Sequence, residues 1–186
     1  MRGSLIACNG VSIEDVPVDG LQEFMVRGQL TSRDLVECYL ARIEQTNSFT
    51  HSISEVNPDA LSIADGMDAE RRQGNVRGPL HGIPFLVKDN YYTDDKHNTS
   101  EGTLVLLGGR YYSEATATAG SSSGSVVAVR SNQAAIAIGT ETYGSLVHPA
   151  AQLGLYTVKS TPGLLSRHEV VTGSYYHDTP GPLLDL

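Results

Sequence analysis

Helix-like and strand-like apolar patterns alternate along this 186-residue chain, and that alternation is what most constrains its fold. Residues 31–46 carry the clearest helical signal. Thr31 can cap the segment with Asp34 in the reciprocal position of a capping box, and Leu35, Val36, Tyr39, Leu40 and Ile43 then form one apolar stripe. A shorter helix is expected over residues 21–25. Residues 51–56 alternate as a strand would. Asn57 is placed to cap a further helix with Pro58 in its first turn, where a missing N–H costs nothing. Ala60, Leu61, Ala64 and Met67 supply that helix's buried face, and Gly66 weakens it. Past the polar turn at 71–77, residues 83–87 fit a short central strand, with Pro84 an awkward member that points to a sheet edge or an irregular start. Strands over 103–107, 134–138 and 155–158 and a helix over 125–129 continue the alternation. The expected class is α/β.

Composition narrows the function classes. With 40% apolar and 18% charged residues the chain can bury a core, and it does not read as disordered. A formal net charge of −8, from 21 acidic against 13 basic residues, excludes a nucleic-acid groove as the expectation, because neutralising phosphates needs clustered Lys and Arg. The densest basic group is only Arg71, Arg72 and Arg77. No apolar run is long enough to cross a bilayer. Cys8 and Cys38 are the only cysteines, too few for a disulfide framework or a metal cluster, so a reduced, cytoplasmic setting is expected. His148, His168 and His177 lack metal-ligand spacing and are expected on the surface.

The chemistry lies in two serines twenty-four residues apart, Ser121 and Ser145, each among glycines and downstream of Lys88. A serine hydroxyl is a poor nucleophile until a base takes its proton. Lysine can do so only as the neutral amine, which requires burial or nearby positive charge. A second serine between the two can relay the proton. Glycines let backbone N–H groups approach a carbonyl and stabilise an oxyanion, and Thr142, Tyr143 and Gly144 are placed to supply such groups. The same residues have plainer readings: Gly/Ser loops are common turns, and Lys88 beside Asp89 can be a surface ion pair. The run Gly120–Ser125 is not a nucleotide P-loop, since no lysine follows it, and the helix-elbow context of the GxSxG hydrolases is missing.

The motifs Gly82-Ile-Pro-Phe-Leu-Val-Lys88-Asp89-Asn90, Gly120-Ser121-Ser122-Ser123-Gly124-Ser125 and Gly139-Thr-Glu141-Thr142-Tyr143-Gly144-Ser145 occur in that order, followed by Val158-Lys-Ser-Thr-Pro-Gly163 and Asp178-Thr-Pro-Gly-Pro182. In this the chain resembles the amidase signature family, serine hydrolases that cleave carboxamide C–N bonds with a serine–cis-serine–lysine triad. The resemblance implies part of a mixed sheet flanked by helices, with residues 1–76 as an N-terminal helical part and 77–186 as the motif-bearing α/β part. It implies Ser145 as the acylated nucleophile, Ser121 as the bridging serine in a cis peptide, and Lys88 as the base. Thr142, Tyr143 and Gly144 fall on the oxyanion stretch, and Asp89, Gly120, Ser122, Ser123 and Glu141 are supporting residues. The expected partner is a small-molecule amide. No metal or organic cofactor is needed, and self-association into a homo-oligomer is compatible with this picture.

Three departures stand out. Tyr143 occupies a place where the family usually has glycine. Val147 replaces a common arginine, so an ion pair from that position to Glu141 is lost. Lys88 and Ser121 are thirty-three residues apart, about half the usual separation, and the stretch that is short normally adds a helix and a core strand. The chain also ends where a family member would continue. Two other readings therefore stay open: a catalytically inactive, shortened relative or gene-model fragment, and a non-catalytic α/β domain that binds a small anion through its Gly/Ser loops.

Overall fold

The computed structural model describes residues 7–93, 95–97 and 120–185. Among these are five helices and four strands: α1 (Val18–Val26), α2 (Ser32–Thr50), α3 (Ala60–Arg72), β1 (Leu86–Val87), α4 (Ser123–Arg130), β2 (Ile136–Glu141), α5 (Val147–Leu153), β3 (Tyr156–Thr157) and β4 (Thr179–Leu184), alternating only from α3 to β3. The α/β expectation is met. The strands form one mixed sheet in the order β1-β2-β4-β3, with β1 parallel to β2 and the other neighbours antiparallel. The strand expected over 103–107 lies outside the described residues.

Local signals place α1 to α4, whereas α5 is not expected from the sequence. α2 begins with the full capping box: Thr31 Oγ1 accepts the Asp34 N–H at 3.0 Å while Asp34 Oδ2 accepts the Thr31 N–H at 2.9 Å. Its stripe residues Leu35, Val36 and Tyr39 are buried, and Leu35 joins Leu21, Met25, Leu30, Ile83 and Ile136 in a cluster on the N-terminal side. The start of α3 departs from the sequence expectation. Asp59, not Asn57, is the capping position, and Asn57 acts earlier, accepting the Asp59 N–H at 2.8 Å in the turn that precedes the helix.

Residues 51–56 are not a strand. The backbone of Ile53 finds its partners in the Asn47 side chain, which donates to Ile53 O at 2.8 Å and accepts its N–H at 2.9 Å, so no neighbouring strand is required. β1 is shorter than the apolar run predicts and, among the described strands, lies at the sheet edge, as Pro84 suggests, and not at the centre. The cysteines also correct the expectation: Cys8 and Cys38 are joined in a disulfide that ties the N-terminal segment to α2.

β4 contains Pro180 and Pro182 yet lies inside the sheet. Their missing N–H groups are harmless because they face the β3 side, where β3 reaches only Leu183 and Leu184. On that side Thr157 Oγ1 donates to Pro182 O at 2.7 Å and Ser160 Oγ to Pro180 O at 3.2 Å. Facing β2, the ladder pairs Gly139 with Gly181. These two glycines open the slot that seats Leu146. A Cβ at Gly139 would meet Leu146 Cδ2 and Ser122 Oγ at 2.7 Å, and one at Gly181 would meet Leu146 Cδ1 at 2.6 Å and Val158 O at 2.5 Å. Leu146, with 0% exposure, belongs to the second buried cluster with Val126, Val129, Ala137, Ala150, Leu155 and Leu183. The residue after Ser145 is thereby locked into the core.

Candidate active site

Three chain segments converge at one end of the sheet. Lys88 extends β1, and its N–H donates to Ile138 O of β2 at 2.8 Å. Ser121 stands in the turn before α4, and the peptide bond joining it to exposed Gly120 is cis. Lys88 Nζ donates to Ser121 Oγ at 2.6 Å. Ser145 stands in the turn after β2, and its carbonyl accepts the Ser122 N–H at 3.1 Å. Lys88, Ser121 and Ser145 all line one cleft of about 1720 Å³.

Ser122 does the joining. Fully buried, it donates Oγ–H to Thr140 O at 3.1 Å, which fixes the serine turn against the end of β2. Ser123 opens α4, and Asp89 sits half-buried beside Lys88. Asn90, buried next in line, donates to Thr140 Oγ1 at 3.0 Å and to Val171 O at 3.2 Å, so the lysine segment, β2 and the later loop are held together.

The turn 142–146 is braced by two carboxylates. Glu141, 4% exposed, accepts the Leu146 and Val147 N–H groups on Oε2 at 2.9 and 3.0 Å. Burial pushes its pKa up, but the N–H groups of Val147, Gly144 and Leu146, with Lys159, outweigh burial and hold it below the ordinary value. Asp178 accepts the Thr142 hydroxyl on Oδ1 and the Ser174 N–H on Oδ2 at 2.8 Å. Burial again opposes ionisation, and the Ser174 N–H, the Thr142 hydroxyl, the Gly173 N–H and Arg167 keep the carboxyl below its usual range. Gly144 has φ +85°, and a Cβ there would meet His148 Nδ1 at 2.9 Å, so conformation and space both require glycine. Tyr143 points away, 90% exposed, and does not crowd the turn through the core.

The ion pair that Val147 cannot make is made from elsewhere. Lys159 Nζ lies 3.4 Å from Glu141 Oε1 and donates to Thr142 O at 2.7 Å. Sequence reasoning assigned no role to Lys159 or Asp178, although both fall inside recognised motifs. Only the chain path through α5 and β3 shows that they face the serine turn. His148, His168 and His177 are exposed, as expected, with His148 in α5. Among the described residues, no three His, Cys, Asp or Glu side chains converge on a point that could hold a metal, and no helix is long and apolar enough to cross a membrane.

The cluster can do hydroxyl chemistry: an amine touching one serine, a second serine on the same cleft, and a turn whose remaining N–H groups can meet an anion. Comparison with known proteins agrees in kind. The family model described as Amidase matches residues 34–119 and 112–185. A Schizosaccharomyces pombe protein carrying an amidase name is 38% identical over 224 residues, which cover 95% of this chain and 38% of the relative. The peptide amidase of Stenotrophomonas maltophilia superposes with a TM-score of 0.84 at 34% identity, covering 92% of this chain and 45% of that one. An amidase family protein of Bacillus anthracis gives a TM-score of 0.83 at 29% identity, covering 95% of this chain and 47% of that one. The chain thus spans less than half the length of these relatives, and the family model matches it in two segments. The chain belongs to the amidase family.

Proposed function

We propose that this chain carries the nucleophile-bearing part of an amidase that cleaves carboxamide C–N bonds through an acyl-serine intermediate. Ser145 Oγ attacks the amide carbonyl, and its proton passes through Ser121 to the neutral Lys88 amine. The C–N bond then breaks, and the proton returns by the same path to the leaving nitrogen. Water attacks the acyl-Ser145 ester with Lys88 again as base, releasing the acid and restoring the hydroxyl. The observation that carries this reading is the 2.6 Å contact from Lys88 Nζ to Ser121 Oγ, on a cleft that Ser145 also lines. Proton transfer needs that reach.

The N–H groups of Gly144, Leu146 and Val147 are turned to Glu141, so of the expected stretch Thr142, Tyr143 and Gly144 the first two, with Ser145 itself, are left as the source of oxyanion donors. Asp89, Gly120, Ser122 and Ser123 act as supports of the lysine and serine segments. The substrate class is a small carboxamide, and the peptide amidase likeness adds peptide amides to the compounds worth assaying. Ammonia or amine release by wild type and by Ser145→Ala tests the proposal; equal rates for the two would overturn it. A cytoplasmic setting keeps Cys8 and Cys38 as thiols, whereas an oxidising one keeps their bond, so thiol trapping in fresh extracts decides the compartment. Sedimentation of the purified chain reads whether it self-associates.

A further inference from the structure

We propose that Lys159 is a positioning residue for the oxyanion turn, taking over from β3's side the place that an arginine at position 147 would fill. The inference rests on the amidase reading of the same site.

Lys159 makes two contacts with one ammonium group. It donates to Thr142 O at 2.7 Å and lies 3.4 Å from Glu141 Oε1. The first contact has a directional consequence. A trans peptide unit is planar, and its C=O and N–H point in opposite directions. Gripping the Thr142 carbonyl therefore also sets where the Tyr143 N–H points, on the face opposite Lys159. Thr142 and Ser145 line the catalytic cleft, and Lys159 is not among its lining residues. The carbonyl is drawn toward Lys159, which stands off the cleft lining, and the Tyr143 N–H is turned the opposite way.

The second contact secures the first. Glu141 is buried and holds the Leu146 and Val147 N–H groups, so an unpaired charge there would loosen the turn on which Ser145 stands. With valine at 147, Lys159 is the cation that compensates it. Asp178 holds the Thr142 side chain from the other side, so Thr142 is pinned by its carbonyl and its hydroxyl at once. The turn has φ +85° at Gly144 and no regular secondary structure to keep its peptide planes aligned. External grips must do so.

The test compares wild type with Lys159→Met, Lys159→Arg and the double variant Val147→Arg/Lys159→Met. Turnover of a carboxamide is measured with kcat and KM separated. Loss of one aligned oxyanion donor lowers kcat by about 100-fold or more, and partial misalignment by less. Lys159→Met is therefore expected to lose roughly 10- to 100-fold in kcat with KM little changed. Lys159→Arg should keep most of the activity, and arginine at 147 should recover at least several-fold over Lys159→Met alone. A second readout needs no turnover: the backbone carbonyl shift of Thr142 and the amide shift of Tyr143 should move in Lys159→Met and return toward wild type with either arginine. Unchanged shifts in Lys159→Met would overturn the inference. So would an unchanged kcat in an active wild type, or a loss confined to KM. A wild type indistinguishable from Ser145→Ala would instead overturn the amidase reading, and the shifts would still decide the role of Lys159.

Discussion

Leu146 is where the turn that carries Ser145 is anchored to the core, and its seat can be measured by a double-mutant cycle. Gly139 has an ordinary backbone conformation, so an alanine there adds a steric problem without a conformational one. Its Cβ would meet Leu146 Cδ2 and Ser122 Oγ at 2.7 Å. Overpacking of this kind costs about 1–3 kcal/mol. Leu146→Ala, at a site with 0% exposure, removes three carbons and leaves a void that costs about 2–5 kcal/mol. In the double variant the new methyl enters the space that the leucine vacates. The combined loss should be smaller than the sum of the single losses by about 1 kcal/mol or more. Urea unfolding followed by far-UV circular dichroism reads this directly, since a slope of about 1–3 kcal/mol per molar urea turns 1 kcal/mol into a midpoint shift of roughly 0.3–1 M. Additivity within about 0.5 kcal/mol would refute the slot described for Leu146. The Ser122 contact remains in both backgrounds, so full recovery is not expected.

Three further outcomes follow from the same geometry. Gly144→Ala places a Cβ at φ +85° and against His148, so it should destabilise the fold by about 1–3 kcal/mol and cut turnover at least tenfold, read by urea midpoint and amide assay. Glu141 and Asp178 both titrate lower in the folded chain, so the stability they contribute is complete above the unfolded carboxyl range, near pH 4, and lost as pH falls through their folded values. Urea midpoints from pH 7 to pH 3 should fall, and Glu141→Gln should flatten that slope. Reducing the Cys8–Cys38 bond frees a loop with a sequence separation of 30, and chain entropy then lowers stability by about 3–4 kcal/mol, measured as the midpoint with and without reductant.

What the sequence reveals here is what local chemistry decides. The capping box of α2 is complete within four residues, and both its bonds form as read. The Lys88, Ser121 and Ser145 segments are singled out through the family resemblance, since Gly/Ser turns and a Lys–Asp pair by themselves also read as ordinary loops. β4 was not legible as a strand, because two prolines in six residues argue against an interior strand. Only the pairing reveals that both point their missing N–H groups to the side where β3 has ended. The expected strand at 51–56 failed for the converse reason: the Asn47 side chain takes the hydrogen bonds of Ile53, so no neighbouring strand pairs with it. The disulfide, and the grips of Lys159 and Asp178 on Thr142, depend on segments that meet only after folding. Side-chain type alone carries no signal for such long-range pairings.

Covalent trapping tests the central claim most directly. The chain is incubated with a serine-reactive fluorophosphonate or an activated ester, digested, and its peptides weighed. The account predicts one adduct, on the peptide containing Ser145. It should form at least about 100-fold more slowly in Lys88→Met and Ser121→Ala variants whose unfolding midpoints match wild type. An adduct on Ser121 or Ser123 instead, or labelling of Ser145 at the wild-type rate without Lys88, would contradict it.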